Sequence, residues 1–313
     1  MNSVRNTTSC KYDYGVTLLN LFIYIPGNVL VFFPSISYLS DCINEWKKNG
    51  LYASFSSVKE VFSETDAVEQ EKKRLNEVNR LQNQVMLEAM ASHNASSSRL
   101  FGSNASPSDP YIELTNKYIQ SSKTRKGGVL FAVCRGKASE GIDFSDDLCR
   151  CVIVVGIPYP PPNDPYIYLR RQWLNQHSML TKDEIELGIS HRLDDFISKE
   201  KIEQINRSMP KNDAYNAILD NLTPKPLNIS NNTFSYNVIS HNDKYLTGSE
   251  WYNQSAFRAI NQAIGRVIRH KDDYGCILLM DERYKWGTSK DLLSNWLQTY
   301  YQVSNSFRMF FSW

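Results

Sequence analysis

The sequence predicts an α/β fold, a parallel sheet covered on both faces by helices, and three observations carry that expectation. Four apolar runs of strand length, Val29–Phe33, 129–133, Cys151–Val155 and Cys276–Met280, lack the polar alternation of a half-exposed strand, as strands buried on both faces do. Helix-like stretches separate them, the order from which parallel sheets are built. The chain of 313 residues is 42% hydrophobic and 22% charged, enough apolar material for one or two ordinary cores.

Residues 16–24 read as an apolar helix, Pro26, Gly27 and Asn28 as a turn, and Val29–Phe33 as the first strand, stopped by Pro34 and Ser35. Tyr38, Leu39, Cys42, Ile43 and Trp46 then recur at helical spacing. Residues 65–93 are charged and helix-prone. Val68, Leu75, Val78, Val85 and Ala89 form a stripe there, but Glu71 and Gln82 interrupt it, so a projecting amphipathic helix is expected rather than a coiled coil. Residues 95–109 are rich in Ser and Asn and read as a flexible loop.

Helical character returns over 111–122, and Gly127-Gly128 leads into the second strand. A second polar segment, 180–243, is helix-like over 182–205 and rich in Asn and Pro beyond. A helix over 251–260 precedes the last strand. No internal repeat is visible. The expected division is a core in three pieces, 1–62, 111–179 and 245–313, with insertions at 63–110 and 180–244.

Thirty-five Lys and Arg against 33 Asp and Glu give a formal charge of +2, so any nucleic-acid surface must be local. Six cysteines show no CxxC pair, no zinc spacing and no iron–sulfur run, and read as reduced intracellular thiols. Asn-x-Ser/Thr triplets at Asn94, Asn104 and Asn231 fall in Asn-rich sequence that generates them by chance. The apolar stretch 16–33 is broken by Asn20, Pro26, Gly27 and Asn28, so neither a signal peptide nor a membrane partner is expected.

Two segments carry chemistry. Gln262-Ala-Ile-Gly265-Arg266-Val-Ile-Arg269-His270 follows a helical stretch, and on one helix Gln262, Arg266 and Arg269 sit at i, i+4 and i+7, projecting from one face. Guanidinium forks there suit a phosphoryl group, and Gly265 would permit close backbone approach. A salt-bridged basic helix face is the plainer alternative. The second segment leaves the strand 129–133 through Arg135, Gly136, Lys137, Ser139, Glu140, Gly141, Asp143 and Phe144, at the kind of strand end where open α/β sheets bind ligands. Gly136 and Gly141 can adopt φ > 0 and expose backbone N–H groups. Ser139 and Arg135 could hold a nucleic-acid phosphate, with Asp143 coupling that contact to a nucleotide. An ordinary polar loop is the alternative.

The segment from Arg135 to Phe144 resembles motif V of XPD-like superfamily 2 helicases. Gln262 to Arg269 resembles their motif VI, and Val29 to Ser35 their motif IV. Gly156-Ile-Pro-Tyr-Pro-Pro with Asp164-Pro165, and Arg269-His-Lys-Asp-Asp-Tyr-Gly275, are most similar to the Fanconi-anaemia-J and telomere-length-regulator branch. The resemblance covers about 16–62, 111–177 and 245–304. It implies a RecA-like, P-loop NTPase-type second motor domain of a nuclear, ATP-dependent DNA helicase, moving 5′ to 3′ and acting in DNA repair or telomere maintenance. It further implies Ser35, Arg135, Lys137 and Ser139 on the single-stranded DNA side. Arg266 and Arg269 would be arginine fingers beside Gln262, with Glu140, Gly141, Asp143 and Gly265 facing ATP. Phe32 and Phe33 are expected in the core.

No GxxxxGK[ST] loop and no acidic box for Mg²⁺ occur in the chain, and the family's iron–sulfur cysteines are missing. ATP with Mg²⁺ would therefore be shared with an N-terminal RecA-like half that also carries any iron–sulfur cluster, and no metal site is expected here. The chain reads as a C-terminal fragment, a truncated gene model or one product of a split gene. Two rivals stand: a non-catalytic nucleic-acid-binding helicase remnant, which has no need of the arginines, and a P-loop metabolic or signalling enzyme, which would need the missing loop.

Overall fold

The computed structural model describes residues 7–91, 109–137, 144, 146–178, 199–208, 246–268, 270, 272–285 and 287–304. They fall into two compact units, 1–158 with 259–313, and 159–258.

The first unit is built on a five-stranded sheet of β1 (Val29–Phe33), β2 (Glu60–Ser63), β3 (Gly128–Val133), β4 (Cys151–Val155) and β5 (Cys276–Met280), in the order β2-β3-β1-β4-β5. Every pairing is parallel, with Val29 opposite Val129 and Cys151, and Cys151 opposite Cys276. The four apolar runs are strands as expected. β1 and β4 are buried at every residue, which is why their sequences show no alternation. β2 is an addition to the expected set. It occupies an edge and offers only Val61 and Phe62 as apolar residues, too few for a periodicity signal, and it includes Ser63.

Helices α1 (Thr8–Tyr24), α2 (Ile36–Lys48) and α3 (Leu51–Val58) cover one face. Leu18, Phe22, Leu39, Ile43, Trp46 and Phe55 meet the odd-numbered residues of β1, β3 and β4, Phe33 among them. Trp46 stands 5.3 Å from the Phe55 ring and 5.5 Å from Phe131, and its indole N–H donates to the Lys11 carbonyl at 2.8 Å. Phe32 is also fully buried, so both phenylalanines of β1 are core residues as the sequence indicated.

The second face lies under α5 (Pro110–Ser121), which follows α4 (Glu64–Ala91) and packs on β2 and β3. Its Tyr118 meets Phe62 at 6.1 Å and Phe144 at 5.6 Å, both edge-on. At the edge where the strands begin, buried Asn28 accepts from the Gly128 N–H (2.7 Å) and the Ser121 hydroxyl, and donates to the Tyr118 carbonyl. Lys59, also buried, donates to the carbonyls of Gly27 (2.7 Å) and Lys126 (3.2 Å). These side chains satisfy turn carbonyls and N–H groups that water cannot reach.

In the second unit, α6 (Pro165–His177) starts from Asp164, whose carboxylate accepts from the N–H groups of Tyr166 and Ile167, with Pro165 at the first helical position. Helix α7 (Lys199–Ser208) follows. The first part of α8 (Gly248–Ile264) belongs to this unit and its end to the first. Tyr252 stacks on Tyr159 at 5.1 Å, and Arg170 and Arg171 lie over the rings of Trp251 and Tyr252. Among the described residues no helix is long and apolar enough to cross a membrane.

Two predictions follow from the packing. A helix glycine ordinarily gains stability on replacement by alanine, but a Cβ at Gly15 would press into the Trp46 indole and come within 2.9 Å of Leu51. Gly15→Ala should therefore lower unfolding free energy by about 1–3 kcal/mol in urea denaturation; a gain would mean that α1 does not rest on Trp46. Burial pushes the thiols of Cys42, Cys134 and Cys149 up to about 12 from 9.0. Above pH 9 the unfolded chain releases protons that the folded chain keeps. Stability should fall from pH 9 towards 12, by up to about 1.4 kcal/mol per pH unit for each thiol. Lys59, lowered from 10.5 by burial, acts in the opposite sense, while Tyr52, also pushed up to about 12 by burial, acts with the thiols. Thermal melts across that range should show the decline, and Cys42→Ala should make it shallower.

Candidate functional site

Because all five strands are parallel, every strand exit lies along one edge of the sheet. Phe33 is in register with Val133, and the Cys134 N–H donates to the Phe33 carbonyl at 2.9 Å. Ser35 and Arg135 therefore leave the sheet at equivalent positions, two residues beyond that pair. Both are exposed, as is Lys137. Ser35 is the N-cap of α2, its hydroxyl accepting from the Tyr38 N–H at 3.2 Å, and no acidic residue occupies the first turn. The helix adds partial positive charge where Arg135 and Lys137 supply full charges, which favours an anion at this edge. The Lys137 ammonium lies 4.5 Å from the centre of the Tyr111 ring.

The turn after β3 departs from expectation. The residue with positive φ is Arg135 (φ 63), and Gly136 has another reason to be glycine. A Cβ at Gly136 would stand 2.5 Å from a carboxylate oxygen of Glu64. Glu64 is 2% exposed, and its other oxygen accepts from the Val133 N–H at 2.9 Å, so it braces the end of β3 from the first residue of α4. Nothing in the sequence marked Glu64, which reads as one carboxylate in a charged helical run. The neighbouring Cys134 thiol is buried, and burial pushes it up to about 12, the setting of a structural rather than a reactive cysteine.

The arginine segment also differs. Helix α8 ends at Ile264, and Gly265 closes its last turn by donating to the Asn261 carbonyl at 2.9 Å. Gln262 is therefore on the helix and exposed, whereas Arg266 stands beyond the end, half-buried, in a turn. One continuous helix face carrying Gln262, Arg266 and Arg269 is thus corrected: the helix ends at Ile264, before Arg266. A Cβ at Gly265 would meet only the carbonyls of its own helix, at 3.1 and 3.9 Å. The Arg266 carbonyl accepts from the Phe144 N–H at 3.3 Å, joining the end of the loop after β3 to the segment after α8. Ser139, Glu140, Gly141, Asp143 and Arg269 lie outside the described residues.

Beyond Phe144, near the edge where β4 and β5 begin, donor atoms of Asp146, His270 and Asp273 lie within 4.8 Å of one another. One Asp273 oxygen already accepts from Arg150 at 3.0 Å and from the Tyr274 N–H at 2.9 Å. With a guanidinium already on one of its carboxylates, this set is better suited to an ion-pair network than to a metal. Among the described residues no group of cysteines converges as an iron–sulfur cluster requires, and Cys134, Cys149 and Cys151 are buried in and beside the sheet.

The sequence of the chain is similar to that of known helicases. The chain is 29% identical over 300 residues to the regulator of telomere elongation helicase 1 homolog of Drosophila sechellia, covering 95% of this chain and 21% of that protein. It is 28% identical over 302 residues to the homolog of Drosophila grimshawi, covering 96% and 20%. The chain thus spans about a fifth of the length of these curated relatives. Among solved structures, an apo XPD matches with a TM-score of 0.41 at 18% identity over 94% of this chain and 36% of the other, and an XPD helicase with 0.38 at 18% over 92% and 30%. The family model for the helicase C-terminal domain matches residues 18–300, nearly the whole chain, and the chain belongs to that family.

Proposed function

We propose that this chain is the second motor domain of an ATP-dependent DNA helicase that moves 5′ to 3′ on single-stranded DNA. The observation that carries the reading is the hydrogen bond from Phe144 to Arg266, which joins two segments of different chemistry. One segment begins among exposed cations at the strand exits, suited to a nucleic-acid backbone. The other carries guanidinium groups suited to a nucleotide. A contact on the first can thereby move the second.

In this reading Ser35, Arg135, Lys137 and Ser139 hold backbone phosphates of the DNA. Arg266 and Arg269, with Gln262, Gly265, Glu140, Gly141 and Asp143 around them, face ATP across a cleft shared with an N-terminal RecA-like half. That half supplies the phosphate loop, the Mg²⁺ site and any iron–sulfur cluster. ATP with Mg²⁺ provides the phosphoanhydride whose cleavage drives the cycle. The arginines neutralise charge that grows on the phosphoryl oxygens, and Arg135 and Lys137 grip the strand by charge, so binding weakens with salt. Apart from Ser63 in β2 and Glu64 behind the turn after β3, segments 63–110 and 180–244 are insertions outside the motor cycle. The relatives are named for telomere elongation, which supports a nuclear role in genome maintenance.

The test has two parts. Alone, the chain should show no DNA-stimulated ATP hydrolysis; turnover on the order of 1 s⁻¹ would contradict the reading. Joined to a first helicase half that carries a phosphate loop, it should hydrolyse ATP. There Arg266→Lys should lower turnover about a hundredfold while melting temperature and single-stranded DNA affinity change little, because lysine keeps the charge and loses the planar fork. A drop in melting temperature with near-normal turnover would make Arg266 a structural residue instead.

A further inference from the structure

Helix α8 stops at Ile264 and β5 starts at Cys276, so helical hydrogen bonds do not hold the chain that carries Arg266 into the sheet. Besides the buried Val267, a network on Arg150, the residue before β4, engages the end of this stretch. The Arg150 guanidinium donates to Asp147 at 2.6 Å, to Asp273 at 3.0 Å and to the Tyr274 carbonyl at 3.0 Å, and lies 4.0 Å from the centre of the Tyr274 ring. The Asp273 side chain is fully buried and also accepts from the N–H groups of Tyr274 and Asp146. His270 reaches Asp146 at 3.0 Å. Asp146 sits at φ 56, in the left-handed region that few residues other than glycine, asparagine and aspartate enter. The Arg150 backbone is itself fixed: its N–H donates to the Asn28 carbonyl and its carbonyl accepts from the Cys276 N–H, both at 2.9 Å.

We propose that Arg150 and Asp273 are positioning residues for Arg266. They lock the stretch 270–274, which follows the arginine segment, onto the stretch 146–150, which follows the loop after β3. With both stretches pinned, the bond from Phe144 to the Arg266 carbonyl has a fixed length to span, and Arg266 has one place to stand. Three features distinguish this network from a surface ion pair. The Arg150 side chain is 13% exposed, Asp273 is buried, and one guanidinium serves two carboxylates and a carbonyl at once. Lysine cannot reproduce that fork, and asparagine at 273 keeps the shape while losing the charge.

The proposal rests on the reading of Arg266 as a phosphate-facing residue, so its test has one readout that is independent of catalysis. In the chain alone, Arg150→Lys and Asp273→Asn should each speed hydrogen exchange at the Phe144 amide by at least about tenfold. Affinity for an oligothymidylate should stay within about twofold, because the strand exits are untouched. In the two-half assembly the same variants should lower kcat for ATP hydrolysis about tenfold to a hundredfold with KM for ATP little changed, as misplacement of a reacting group does. The double variant should be no worse than the poorer single one, since both break the same lock. Unchanged exchange at Phe144, or normal kcat with fast exchange, would overturn the proposal. So would a parallel loss of kcat, DNA affinity and melting temperature, which marks a general structural role. An assembly inactive without any substitution would overturn the functional reading, while exchange at Phe144 still decides the lock.

Discussion

Burial of a parallel sheet on both faces is the constraint on which the rest of the structure depends. A sheet whose central strands are wholly apolar and covered by helices has no face left for chemistry, so ligands can meet it only at the edges where strands enter or leave. Parallel pairing then sorts the loops. Every exit falls on one edge and every start on the other, and register decides which residues become neighbours. Ser35 and Arg135 are a hundred positions apart in sequence and side by side in consequence, because Phe33 faces Val133.

The two edges differ in character. The exit edge is cationic and exposed, with a helix N-terminus pointing the same way and a buried carboxylate, Glu64, bracing the turn from behind. The start edge is a network in which cations already have partners: Lys59 on two carbonyls, Arg150 on two carboxylates. The cations of the first edge are exposed to solvent, whereas those of the second are turned to protein acceptors. In the proposed function this contrast separates the DNA contacts from the nucleotide-facing arginine, and the loop from Arg135 to Phe144 is the connection between them.

The interior strands were legible because burial on both faces writes itself as an unbroken apolar run, and α2 because Tyr38, Leu39, Cys42, Ile43 and Trp46 keep helical spacing. β2 was not legible, since an edge strand needs only one or two apolar residues and Glu60 and Ser63 dilute them. The end of α8 was not legible for a related reason: Gln262 and Arg266 keep helical spacing past Gly265, and periodicity alone does not show that the helix ends at Ile264. The candidate residues of the loops were proposed from their type and order. Glu64 and Arg150 were not, because each works through a neighbour distant in sequence, the Val133 N–H for one and the Asp273 carboxylate for the other.

The claim that the strand-exit edge is the nucleic-acid surface is open to direct measurement by photo-cross-linking a single-stranded oligonucleotide to the chain and mapping the modified residues by mass spectrometry. The account predicts adducts at and around Ser35, Arg135 and Lys137, with Lys59 and Arg150 unmodified, and loss of those adducts as salt is raised. Adducts concentrated at the strand-start edge, or a pattern indifferent to salt, would contradict it.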